Sequence, residues 1–96
     1  MTRDDVLDIA IKATTVSMET VDRAMLALKH VTYENTTVIA DGETLVIQGD
    51  NLFADVKVVA QAGRPFLVQV CWVMGGGAVY QNSGDDLNSL LEGCGL

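Results

Sequence analysis

From residue 35 the chain breaks into short apolar runs separated by turn residues, and this rhythm constrains the fold more than any other feature. "TTVIA" and "TLVIQ" flank Asp41-Gly42, a pair suited to the left-handed backbone of a tight hairpin turn. "GDN" at 49–51 reads as the next turn. "LFADVKVVA" and "PFLVQVCWV" then flank "QAGR", which gives a second hairpin. In that pair Val56, Val58 and Ala60 share one face, as do Phe66, Val68, Val70 and Trp72. Several residues of the opposite faces are also apolar, as in strands at the centre of a sheet. Pro65 has no N–H to give a ladder and fits only the start of its strand.

The triple glycine at 75–77 follows the second of these strands, where a phosphate-cradling loop would also sit. A phosphate loop needs Gly-Lys-Ser/Thr opening a helix, but the chain continues Ala78-Val79-Tyr80-Gln81 and has no lysine after Lys57. The glycines therefore read as a hairpin or bulged turn leading to another strand. A short closing helix is expected next, capped by Ser83 or Asp85, with Leu87, Leu90 and Leu91 inward and Gly93 as its stop.

Upstream, residues 17–29 have a helical period: Ser17 can cap, and Met18, Val21, Met25 and Leu28 form one stripe. Glu19 and Arg23 are spaced to pair across a turn, and Lys29 and His30 suit the negative end of the helix dipole. The first segment supports two readings. Thr2 as cap with Asp4 and Asp5 in the first turn suggests a helix. Leu7, Ile9, Ile11 and Ala13 alternate with Asp8, Ala10, Lys12 and Thr14, which suggests a strand over 6–14 and is the reading adopted. The expected fold is α+β: an antiparallel sheet of five or six strands with two helices packed on one face, in a single domain over 1–96.

"IAIK" leading to "SMETVDRAMLAL", with "ADVKV" and "GRPFLVQVCW", resembles a small family of uncharacterised open reading frames of chloroplasts and cyanobacteria. Met18, Glu19, Val21, Met25 and Leu28 carry its helix pattern, and the chain departs from it at "QVCW" and in the glycine turn. The resemblance implies a strand–helix–sheet order and no particular activity.

Composition and motifs bound the function. Of 96 residues, 49% are hydrophobic, too many for a disordered chain. No apolar run approaches the ~20 residues of a membrane-spanning helix. The acidic start "MTRDDVLD" is unlike a basic leader, and Cys71 and Cys94 suit a reduced cytoplasmic protein. A net charge of −7 disfavours direct nucleic-acid binding and suits a basic protein partner. Two cysteines and His30, without close Cys pairing, serve no metal, and no cofactor motif is present. A Cys–His nucleophile would require Cys71 beside His30 in space, whereas Cys71 in "VQVCWV" reads as a buried, inert packing residue and Cys94 as the more accessible thiol. Asp4-Asp5 and Asp85-Asp86 are sequence neighbours that point apart, not catalytic dyads.

Glu34, Asp41, Glu43, Asp50 and Asp55 gather around the first hairpin and the turn after it, with only Lys57 nearby. Such acids, joined to Tyr33, Leu52 or Phe53, have the makings of a polar-rimmed interface. The expected function is a non-enzymatic protein-binding module whose acidic edge engages a basic, nucleic-acid-binding partner. Small phage-encoded inhibitors such as anti-CRISPR proteins share this size and acidity, an analogy of type. The alternatives are a structural subunit or homodimer using an edge strand or the second sheet face, and a small Cys/His enzyme.

Overall fold

A computed structural model describes residues 3–13, 15–31, 35–50, 53–73 and 76–94. Five strands follow one another in a single antiparallel meander: β1 (Thr37–Asp41), β2 (Thr44–Asp50), β3 (Ala54–Ala60), β4 (Phe66–Trp72) and β5 (Ala78–Gly84). Two helices, α1 (Arg3–Ala13) and α2 (Met18–His30), precede the sheet and a third, α3 (Leu87–Gly93), follows it. α1 lies against β1, α2 against β2 and β3, and α3 against β4 and β5. The α+β class and antiparallel sheet are as expected; among the described residues there are five strands and three helices, where two helices were expected.

The added helix is α1, where the alternation over 6–14 had suggested a strand; residues 6–13 are helical and residue 14 lies outside the described residues. Val6 and Ala10, one turn apart, are buried against the core, and Leu7 and Ile9 pack partly on it. Ile11, a member of the alternating set, is 70% exposed. Asp4 and Asp5 in the first turn and Lys12 in the last complement the helix dipole, and no glycine or proline interrupts the segment. The strand–helix–sheet order is therefore replaced by helix–helix–sheet–helix.

α2 forms where the 3.6-residue period places it. Ser17 caps it by accepting from the Thr20 N–H at 3.2 Å. Its buried face is Thr20, Val21, Ala24 and Ala27, with Met25 and Leu28 partly covered. Met18, expected on the inward stripe, is exposed. Small side chains along this face let the helix approach β2 and β3 closely. α3 is capped by Asp86, not Ser83 or Asp85: its carboxylate accepts from the N–H groups of Asn88 and Ser89. Hydrogen bonds from Ser89 Oγ and from these amides hold the Asp86 carboxyl below its usual range. Leu87, Leu90 and Leu91 are buried as expected.

The turns obey the sequence signals. Gly76 and Gly77 join β4 to β5 with φ of 72° and 81°, a region closed to most side chains, so this glycine turn is the hairpin that its flanks implied. Position 75 lies outside the described residues, as do Asn51 and Leu52 after β2. Pro65 immediately precedes β4.

Side chain-to-backbone bonds tie the helices to the turns. Thr15 Oγ1 donates to the Gly42 carbonyl at 2.6 Å, fixing the α1–α2 link over the β1–β2 turn. Thr20, itself buried, accepts from the Ala62 N–H at 2.9 Å. Arg23 was expected to pair with Glu19. Its guanidinium instead lies 4.2 Å from the centroid of Phe66, donates to the Arg64 carbonyl at 2.7 Å and stands 3.6 Å from Asp85. Trp72 Nε1–H donates to the Cys94 carbonyl at 3.1 Å, closing α3 onto β4.

The core lies entirely between the helices and one sheet face, along rows such as Val38–Ile47–Val58–Val68. Ile47→Ala, at a fully buried centre of that row, should cost about 2–5 kcal/mol of unfolding free energy. Ile39→Ala, at an exposed position of β1, should cost about 0.5 kcal/mol or less. Equilibrium urea unfolding of the two variants checks the assignment of faces; equal losses would contradict it.

Candidate functional site on the open sheet face

Strand periodicity sends every second residue of β1–β5 away from the helices, so that face carries no layer of the fold. The register aligns three rows across it. Ile39, Val46, Val59, Leu67 and Ser83 form the first. Thr37, Gln48, Lys57, Gln69 and Gln81 form the second, and Asp50, Asp55, Cys71 and Val79 the third. One row is mainly apolar, the next a chain of amides around a single lysine, and the last begins with two carboxylates.

The polar rows enclose a hollow of about 500 Å³, lined by side chains from Thr37, Gln48, Asp50, Asp55, Lys57, Gln69, Cys71 and Val79 together with Asn35. Its size is that of a ligand cleft, but its lining is more polar than the mostly apolar walls of drug-sized sites. Asp50 and Asp55 occupy directly opposed positions on β2 and β3. Like charges directly opposite on one face of a sheet destabilise it. Among the described residues no ion pair joins either carboxylate to Lys57 or to another cation. Two opposed acids thus stand at one end of a hollow that also holds Lys57 and the amides of Gln48 and Gln69, which can both donate and accept.

Of the five acids singled out in the sequence, the four among the described residues fall at opposite ends of β2. Asp50 and Asp55 meet as described. Asp41 and Glu43 lie at the β1–β2 turn, at the other end of β2, about 20 Å away by the ~3.4 Å rise per residue. There the Asp41 carbonyl accepts from Thr44 Oγ1 at 2.7 Å, and Glu43 accepts from Gln61 Nε2 at 3.3 Å. Glu34 lies outside the described residues, as do Tyr33 and Leu52; Phe53 is exposed. Lys57, Gln48, Gln69 and Thr37 were missed as members of the site. Their signal was parity: each lies one residue from a core residue of its own strand, Val38, Ile47, Val58 and Val68.

The cysteines exchange the roles expected of them. Cys71, read as a buried packing residue, is partly exposed on the open face; Cys94, read as the accessible one, is only 4% exposed in the core. Both are free thiols, and the sheet stands between them. His30, exposed at the end of α2, belongs to the helix side, so the structure does not bring it to Cys71. Among the described residues no group of three or more His, Cys, Asp or Glu could hold a metal ion, and no helix is long and apolar enough to cross a membrane.

Comparison with protein-family models, curated proteins and solved structures returned no match. The functional reading rests on the geometry of this face.

In the folded protein a polar thiol reagent at neutral pH should modify Cys71 readily and Cys94 only on unfolding. Mass spectrometry of partially labelled chains distinguishes the two; faster labelling of Cys94 would contradict the assignment of Cys71 to an accessible face.

Proposed function

We propose that this chain is a non-enzymatic protein-binding module whose open sheet face receives a basic side chain of a partner. The observation that carries the proposal is the opposed Asp50–Asp55 pair at one end of the hollow, which no ion pair joins to a basic side chain among the described residues. A guanidinium or ammonium placed between the two carboxylates removes their repulsion and gains charge-assisted hydrogen bonds; an arginine can do so bidentately. Gln48 and Gln69 can hydrogen-bond the partner backbone around that cation, and the row from Ile39 to Leu67 offers adjoining apolar contact. The net charge of −7 steers a basic surface toward the chain before contact.

A partner that ordinarily binds nucleic acid presents such a surface, so an inhibitor that competes with phosphate suits this size and charge. Two free thiols separated by a sheet suit a cytoplasmic setting.

Titration of the isotopically labelled protein with an oligoarginine peptide tests the reading by amide chemical shifts. The largest shifts should fall on Gln48, Asp50, Asp55 and Gln69 and shrink as salt is raised. Shifts centred on Asp41 and Glu43, or spread over the helices, would overturn it.

A further inference from the structure

β5 closes one side of the sheet, and its outer edge has no strand partner among the described residues. Six of its seven residues are exposed, although α3 packs near its helix-side face, with Leu90 against Gly84 and Gly93 against Asn82. An unpaired edge offers a row of free N–H and C=O groups to any strand that can approach. Such edges are ordinarily blocked by lysine, proline, inward charge or a covering helix. β5, "AVYQNSG", has none of the side-chain devices. The whole stretch 65–84 contains no charged residue, in a chain with 13 acids and 6 bases. The opposite edge differs: β1 is shorter, with five residues, and ends on the charged Asp41.

We propose that two copies of this chain join edge to edge through β5 about a two-fold axis, forming one continuous antiparallel sheet. Charge selects the occupant. A basic partner gains nothing from an uncharged strip and is drawn to the acids elsewhere. Two chains of net charge −7 repel each other over most of their surfaces, and the charge-free hairpin is where they can approach most cheaply. An antiparallel edge is also complementary to itself under a two-fold rotation, which a closed dimer requires.

The register follows from strand length. Full overlap of residues 78–84 with their own copy places Gln81 on the axis. Val79 then faces Ser83 of the second copy, and Tyr80 faces Asn82 of the second copy. The amide row ending Gln69–Gln81 continues across the axis into the same row of the other chain. A side-chain amide both donates and accepts, so Gln81 can pair with its own copy. Val79 and Tyr80, 58% and 51% exposed, gain cover from the added strand.

Sedimentation equilibrium of the full chain over a concentration series is the test. A mass of twice 10.3 kDa should appear as concentration rises. Val79→Lys with Tyr80→Lys, which sets like charges across the axis, should weaken association about tenfold or more while circular dichroism stays unchanged. Ile39→Lys, on the far side of the sheet, should leave association intact. Amide exchange of the unaltered chain supplies a second readout: protection of β5 should rise with protein concentration. A monomer at every concentration, a dimer unaffected by the two lysines, or β5 exchange independent of concentration would each overturn the proposal. So would loss of the dimer in Ile39→Lys.

Discussion

The structure depends on one-sided burial. A five-stranded meander has two faces, and the three helices are all spent on one of them. Ile47 and Val58 at the middle of that face lie under α2, while α1 and α3 cover the flanks. The conformational entropy of ordering the chain must be offset largely by this one interface. Hence its hydrophobic rows are continuous, and the helix facing β2 and β3 is lined with Ala24 and Ala27, which allow close approach. The hydrogen bonds of Thr15, Thr20 and Trp72 then fix where each helix sits without adding much apolar area.

Freed of any packing duty, the other face can carry residues that do nothing for stability. Lys57 stands among glutamines, and Asp50 faces Asp55. A sheet selected for stability alone would place opposite charges or β-branched residues at such positions. The uncharged β5 edge follows a similar logic: charge there would protect the monomer, and the sequence leaves it out. Each face and edge of the sheet thus has its own chemistry, set by the two-residue period.

Much of the fold could be read from the chain because strand and turn signals agreed. Asp41-Gly42, "QAGR" and the glycine turn each sit between runs of the right length, and the inward sets of β3 and β4 were legible residue by residue. The opening helix was not. Leu7, Ile9 and Ile11 satisfy a period of two, and Val6 with Ala10 satisfies a period near four; tertiary contact with β1 and α2 decides between them. The acids were legible as a group by sequence proximity, but proximity along a hairpin is not proximity in space: one strand length separates Asp41 from Asp50. Cys71 was misjudged because its strand is apolar at every position but Gln69, so apolarity alone did not separate its two faces.

The central claim is that Asp50 and Asp55 are kept for binding against the interest of the fold. Unfolding free energy and affinity for a basic peptide, measured together on Asp50→Asn with Asp55→Asn, test it most directly, since the substitutions preserve shape and remove the repulsion. Stability should rise, by about 0.5 kcal/mol, while affinity falls about tenfold or more, the equivalent of roughly 1.4 kcal/mol or more. A loss of stability, or binding that does not change, would mean that the carboxylates serve the sheet and that the partner docks elsewhere.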